Sequence, residues 1–376
     1  MTYETAVEIT KKSEAFYESI VYVDGYKVSL FNYMFAGYSD FAEHDAYELR
    51  GLCYVFDENG QYKKFQALNK FFNINENQST MYAVVKDKKI VNVGEKCDGS
   101  MITFIELPNG KIVPKTKMSF SNEQCDLAKE IYNDKLEIRE FVQWCIANEY
   151  TSIFELVSPH NKIVLDYSET ELILLQVRDK QGRYVPLSVL SNVIGLINIT
   201  KQLPPVPLEE LIEKQETEED CEGWVVEFED GQMIKMKTKW YFENHKLLTD
   251  DLTREDFIIE KTLEETIDDV LSQVKSEDPR RKWVESVSQS VNHYVDSMVD
   301  HSFHHVKTSY TGDRKAFANT NKHDPLFGIY MAIINKEADM EQTKNIVKSF
   351  VMKKTNTLSK SREWLYAEVG FKGKKV

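Results

Sequence analysis

The chain changes its periodicity once, near residue 245, and that change constrains the fold more than any other feature. Before it, apolar residues recur at every second position in short runs: YKVSLFNYMF, GLCYVFD, KIVNV, SMITFIEL, SIFELVS, KIVLDY, LILLQVRD, GWVVEFED and QMIKMKT. An extended chain alternates its side chains between two faces, so each run reads as a strand with a buried side. Turn signals separate them, notably Glu58-Asn59-Gly60, Pro108-Asn109-Gly110 and Asp230-Gly231, and these predict hairpins. A helical segment is expected around Asn122–Asn148. Hairpins without regular β-α-β alternation disfavour a doubly wound parallel sheet.

After His245 the spacing becomes helical. Ile267, Val270, Leu271 and Val274 recur every third or fourth position, and so do Val284, Val287, Val291, Tyr294, Val295 and Met298. The chain of 376 residues is long enough for two full cores. The expectation is therefore an α+β domain of antiparallel sheets and helices over 1–245 and an all-helical domain over 246–376. Within the first of these, Lys201–Glu222 begins Pro-rich and turns acidic, which reads as a connector followed by a surface helix.

Charge narrows the function classes. The formal net charge is −14, which argues against a protein that coats nucleic acid with its whole surface. The charge is uneven, however. Lys344–Val376 holds nine basic residues against two acidic ones, whereas Leu208–Glu222 holds eight acids against Lys214 alone. The basic segment fits contacts to phosphates or a solvated helix face. No apolar run is long enough to span a bilayer, and the N-terminal residues have mixed charge without a secretory apolar segment. A cytoplasmic protein without membrane contact is expected. The five cysteines, Cys53, Cys97, Cys125, Cys145 and Cys221, are odd in number and form no Cys-x-x-Cys pair. Reduced thiols are expected, and zinc held by them is disfavoured.

Lysines carry the chemistry. In IKMK, Lys235 and Lys237 stand two apart on a strand, so both ammonium groups point to one face while Ile234 and Met236 point to the other. Lys115 and Lys117 repeat this in KTK. Like charges side by side are unfavourable unless they share an anion. Glu155 and Glu222 sit in apolar strand sequence, where a carboxylate needs a cation or a metal. Lys96, in GEKCDGSM, falls in a tight connection between two strands. Taken singly, each pair fits a solvated strand face, and Asp98-Gly99 fits an ordinary turn. Taken together they fit one site, in which lysines bind a triphosphate and carboxylates hold Mg²⁺ through its waters. One lysine, its pKa lowered by its neighbours, would act as nucleophile.

These residues also resemble a known family. Lys96-Cys97-Asp98-Gly99 resembles the K-x-D-G nucleophile motif of the lysine-dependent nucleotidyltransferases. FELVSPHNKIVLDY, Glu222-Gly223-Trp224-Val225 and Lys235-Met236-Lys237 followed by TKWY resemble its other motifs. YSDFAEHDAYELRG and NKFFNINEN, which supply Arg50 and Lys70, and DPLFGIYM at 324–331 resemble stretches of the bacteriophage T4 RNA ligase 1 family. The resemblance runs in order along nearly the whole chain. It implies ATP-dependent joining of 5′-phosphate and 3′-hydroxyl RNA ends through lysyl-AMP and RNA-adenylate intermediates. It implies Lys96 as the nucleophile, with Asp98 and Gly99 completing its motif. Lys235 and Lys237 would lie at the α-phosphate, and Arg50, Lys70, Lys117 and Lys115 at the β- and γ-phosphates. Asp98, Glu155 and Glu222 would share ribose contacts and the waters of Mg²⁺, or of Mn²⁺ in its place. The implied substrate is tRNA cut in its anticodon loop, healed first by a polynucleotide kinase/phosphatase, in the cytoplasm of a phage-infected cell. The helical domain would supply RNA specificity.

The family's prototype has glutamate where this chain has Cys97. A thiol there is either a point of oxidation and alkylation or inert packing. A DNA ligase or capping enzyme would share the motifs, but usually appends an OB-fold where this chain turns helical. A non-catalytic RNA-binding relative would need a damaged motif, and the motif residues are intact. His301, His304 and His305 have helical spacing for a metal but no third-ligand context, so a polar helix end or an RNA contact is the expectation.

Overall fold

In a computed structural model, described for residues 1–159, 164–242, 255–271 and 279–355, the chain divides into two units, Met1–Lys246 and Leu247–Val376. The first unit is α+β and the described part of the second is helical.

Three sheets build the first unit. Sheet 1 is an antiparallel meander of β1 (Phe16–Val23), β2 (Tyr26–Tyr33), β3 (Leu52–Phe56) and β4 (Tyr62–Phe65). The helix Tyr3–Lys12 covers it, burying Ala6 and Ile9 against Phe31, Leu52 and Tyr54. The remaining strands are β5 (Phe72–Asn73), β6 (Ile90–Glu95), β7 (Ser100–Glu106), β8 (Ile112–Lys115), β9 (Thr151–Val157), β10 (Glu171–Arg178), β11 (Tyr184–Val185), β12 (Gln202–Leu203), β13 (Gly223–Phe228) and β14 (Met233–Lys237). Sheet 2 has the order β11-β10-β9-β7-β8 and sheet 3 the order β12-β6-β13-β14-β5.

The three predicted turns join β3 to β4, β7 to β8 and β13 to β14 as antiparallel hairpins. The expected helical segment is two helices, Glu123–Asp134 and Leu136–Ala147, separated by Lys135 in extended conformation. Asn122 caps the first by accepting from Cys125 N at 2.9 Å. Ile138, Phe141, Val142 and Cys145, spaced three and four apart, face Phe154 and Leu156 of sheet 2.

Three local expectations are corrected. KIVLDY is not a strand in its described part. Val164–Tyr167 is loop, and its backbone N–H groups serve a carboxylate rather than a ladder. The connector after Lys201 is not separate from the sheet: Gln202 and Leu203 pair with Gly94 and Val93 as β12. The following helix, Leu208–Thr217, buries Leu208 and Leu211 under sheet 3 against Trp224, Val226 and Met236. The strand Phe16–Val23 adds to those expected from the alternation.

In the second unit the helix Pro279–Ser309 buries Val284, Val287, Val291, Val295 and Met298. Phe327–Lys336 and Met340–Thr355 are further helices. Val274 and residues 356–376, which include most of the basic segment, lie outside the described residues, as do His160–Ile163 of the acidic-strand motif. Among the described residues no helix is long and apolar enough to cross a membrane.

Candidate active site

The chain leaves β6 in sheet 3 and enters β7 in sheet 2 through Lys96–Gly99. These strands do not pair with each other, so the segment is a crossover and not the turn that Asp98-Gly99 also fitted. The crossover is fixed from several sides. Lys96 N donates to Gly223 O at 2.8 Å. Asp98, 3% exposed, accepts from Val164 N and Leu165 N on Oδ2 at 2.8 and 2.9 Å and from the Tyr241 hydroxyl on Oδ1 at 2.9 Å. Asp98 N donates to the Tyr167 hydroxyl at 3.0 Å. Burial, with Glu222 adding, raises the Asp98 pKa, and the two backbone donors oppose the rise.

Glycine is required twice by close approach. A Cβ on Gly99 would stand 2.2 Å from Leu156 O. On Gly223, at φ +138°, it would stand 1.9 Å from Met236 O, inside the β13–β14 ladder. Gly223→Ala must therefore push β14 away or break the pairing that places Lys237. The expected result is a loss of about 4 kcal/mol or more, read as a fall in Tm or as insoluble protein on expression.

Lys96 meets Glu222 across this junction. Lys96 Nζ is 2.7 Å from Glu222 Oε2, and Lys237 Nζ is 3.1 Å from Oε1. Glu222 is 2% and Lys237 6% exposed. Burial alone raises the Glu222 pKa, but the two ammonium groups outweigh it and hold the carboxylate below the usual range. The expected alternation of β14 is present: Ile234 and Met236 lie in the core under the helix Leu208–Thr217.

The Lys235 ammonium has no hydrogen bond or ion pair among the described residues; Nζ lies 5.1 Å from the centroid of the Phe71 ring. Burial first, then Lys70, Lys96, Arg50 and Lys237, depress its pKa well below the ordinary lysine value. Arg50 closes the short helix Tyr47–Leu49 and donates to Met101 Sδ at 3.1 Å. Lys70 donates to the Tyr33 hydroxyl at 3.3 Å, and the Lys70 and Lys117 Nζ atoms lie 4.8 and 5.1 Å from the Tyr33 ring centroid. Cations and aromatic rings thus converge beside Lys235.

Lys115 does not join them. It is 1% exposed and donates to Gly51 O and Thr116 O at 3.0 and 2.9 Å. At the end of β8 it is turned into the core, where it holds the residue after Arg50. Both oxygens of Asp98 brace the crossover, and both oxygens of Glu222 meet lysines.

Glu155 lies on β9 between Met101 and Ile173. Its carboxylate has no hydrogen bond or ion pair among the described residues. Burial pushes its pKa up to about 8; Glu222 and Asp98 raise it further, and Lys96 and Arg50 pull against them. Between the usual glutamate range and about pH 8 the ligand-free folded protein therefore holds a proton that the unfolded chain releases. Stability falls as pH rises through that window. Glu155→Gln is expected to raise Tm by a few degrees at pH 8.5, corresponding to about 1 kcal/mol, with little gain at pH 5, as thermal unfolding across pH would show.

The Cys97 thiol is pushed up to about 12 by burial, with Glu155 adding, and its Sγ lies 3.8 Å from Thr200 Oγ1. It has no thiolate character at neutral pH, and inert packing is the reading that fits. In the helical unit His301 and His305 contact Tyr330 and Asn321 at 3.2 and 2.8 Å, and His304 contacts Asp300 O at 2.8 Å. Tyr330 in turn donates to Asp324 at 3.3 Å. His301 and His305 thus pack on Tyr330 of DPLFGIYM, and among the described residues no cluster of three or more His, Cys, Asp or Glu side chains could hold a metal ion.

Sequence reasoning did not assign Tyr33, Phe71, Tyr167 or Tyr241. Phe71 follows Lys70 directly, and Tyr167 and Tyr241 end the stretches that carry Glu155 and Lys237, so adjacency was the available signal.

The α+β unit thus gathers cations around a lysine at a crossover between two sheets. The sequence model of the RNA ligase family matches residues 48–247, which include Arg50, Lys70, Lys96, Lys117, Glu155, Glu222, Lys235 and Lys237, and the chain belongs to that family. A Thermovibrio ammonificans protein named "Putative RNA ligase" is 29% identical over 210 residues, 54% of either chain. The match thus spans about half the length of that relative. Among solved structures, an archaeal ATP-dependent RNA ligase is similar over 92% of this chain and 94% of its own, at 12% identity and a TM-score of 0.47. Naegleria gruberi RNA ligase with PPi is similar over 43% and 52%, at 16% identity and a TM-score of 0.36.

Proposed function

We propose that the protein is an ATP-dependent RNA ligase that joins 5′-phosphate to 3′-hydroxyl ends. The observation that carries this reading is the pairing of Lys96 with Glu222 beside the unpartnered cation Lys235, in a chain of the RNA ligase family. A half-buried lysine among other cations and without an anion is unfavourable for the fold alone, and a nucleotide phosphate is the anion that suits it.

In the first step Lys96 Nζ loses a proton, with Glu222 Oε2 the acceptor in reach, and attacks the α-phosphorus of ATP. An N–P bond forms, the bond from that phosphorus to the bridging oxygen breaks, and pyrophosphate leaves. Lys235 and Lys237 neutralise the α-phosphate charge. Arg50, Lys70 and Lys117 hold the β- and γ-phosphates so that the leaving group faces away from Lys96. AMP then passes to an RNA 5′-phosphate, and a 3′-hydroxyl displaces it.

Glu155, with its unengaged carboxylate, and Glu222 fit the donor set for hydrated Mg²⁺ or Mn²⁺, which bind through one or two carboxylates, waters and substrate phosphates. The metal would supply charge neutralisation at the phosphates. Nicked tRNA as substrate, a kinase/phosphatase as functional partner and a phage source rest on the sequence resemblance, with the helical unit as the RNA-specificity element.

The test is incubation with α-labelled ATP and Mg²⁺, with the modified peptide mapped. An acid-labile AMP adduct on Lys96, followed by sealing of a 5′-phosphorylated RNA, is expected. No adduct on folded, AMP-free protein would defeat the reading.

A further inference from the structure

Arg178 heads the large fully buried side chains of the protein, at 2% exposure, and the site described above does not use it. It ends β10 in sheet 2. Its Nη1 donates to Ala67 O at 2.8 Å and to Asn69 Oδ1 at 2.7 Å. Its Nε and Nη2 donate to Gly182 O at 3.0 and 2.6 Å. Its Nη2 lies 3.6 Å from Glu48 Oε1. Gly182, at φ +86°, leaves room for this packing, since a Cβ there would stand 2.9 Å from Arg178 Nη2.

Apart from Gly182, in the hairpin that follows β10, the partners of Arg178 fall on two segments with one thing in common. Ala67 and Asn69 immediately precede Lys70, and Glu48 lies two residues before Arg50. The segments also meet directly, since Lys70 N donates to Tyr47 O at 2.8 Å. Tyr184 closes the arrangement. Its ring centroid is 4.9 Å from the Arg178 guanidinium carbon, and its hydroxyl accepts from Asn69 N at 3.0 Å. Two cations that repel each other are thus held in one frame by a third, buried, planar cation that touches neither head group.

We infer that Arg178 is a positioning residue that fixes Arg50 and Lys70 relative to each other for the β- and γ-phosphates. This inference rests on the proposed ligase function. A guanidinium presents its donors in a rigid fork, whereas an ammonium is a point charge on a flexible stem. Lysine at 178 keeps the charge but cannot reach Ala67 O, Asn69 Oδ1, Gly182 O and Glu48 together.

The steps of the reaction separate this role from general support of the fold. Only the first step uses the β- and γ-phosphates; sealing of chemically pre-adenylated RNA does not. Arg178→Lys is expected to raise KM for ATP in lysine adenylylation by about tenfold, the size of one lost phosphate contact. Its rate of sealing pre-adenylated RNA is expected to stay within about twofold of the unsubstituted protein. Asn69→Ala, which removes one acceptor of the fork, is expected to shift KM in the same direction by a smaller factor. It serves as the readout if Arg178→Lys does not fold.

An unchanged KM for ATP in a folded variant would overturn the inference, as would equal losses in adenylylation and sealing. Unsubstituted protein that neither forms the adduct nor seals pre-adenylated RNA would instead defeat the ligase reading, and this inference with it.

Discussion

Lys96→Ala is expected to abolish AMP transfer from ATP to the protein, by roughly 10⁴-fold or more, as removal of a covalent nucleophile does. The substitution removes the atom that forms the N–P bond, and no other lysine can replace it. Lys235 Nζ lies over Phe71, and Lys237 is tied to Glu222 on the oxygen that Lys96 does not use. The fold should tolerate the change. Breaking a buried ion pair is costly because a charge is left alone, but Glu222 keeps Lys237, so a loss of about 1–2 kcal/mol is expected. Sealing of pre-adenylated RNA bypasses the lysine adduct and should persist. An adduct of undiminished yield on the Ala variant would move the nucleophile elsewhere.

Much of the fold was legible because alternation and turn chemistry are local. The hairpin turns at Gly60, Gly110 and Gly231 all adopt positive φ, which a glycine after Asn or Asp announces in the sequence. The failures are long-range. KIVLDY alternates like a strand, but Asp98, 66 and 67 residues away along the chain, takes the N–H groups of Val164 and Leu165. Tertiary hydrogen bonding overrides the local pattern there. The same partners explain why Asp98-Gly99 is not a turn. Of the site, the lysines and glutamates announced themselves by charge in apolar surroundings. Their division of labour did not, because KTK reads as one strand face, whereas β8 ends at Lys115 and Lys117 lies in the bend that follows. Only the packing around Gly51 and Tyr33 shows that one is buried on carbonyls while the other lies against an aromatic ring.

Lys235→Met should separate stability from activity most sharply. Lys235 is half-buried among Arg50, Lys70, Lys96 and Lys237, without an anion among the described residues, and its depressed pKa records that the folded state resists its charge. A group whose folded pKa is lowered in this way lowers stability at pH values below its ordinary pKa, where the unfolded chain binds the proton more readily. Methionine keeps the length and the contact with Phe71 and removes the ammonium. The ligand-free variant is therefore expected to be as stable as the unsubstituted protein or a few degrees more stable at pH 7. Adenylylation should nevertheless fall by about 10²–10³-fold, the range for removal of one preorganised charge-stabilising donor. The effect should fall on kcat as well as on KM for ATP, because the charge at the α-phosphorus changes during the displacement. Glu222→Gln makes the contrast, since it leaves Lys96 and Lys237 buried without their counter-ion and should lower both stability and activity. Thermal unfolding and single-turnover adenylylation on the same preparations read both quantities. A Met variant that loses several degrees in Tm would make Lys235 a structural residue. One that gains stability and loses the reaction would show a cation kept in place for its ligand at the expense of the empty fold.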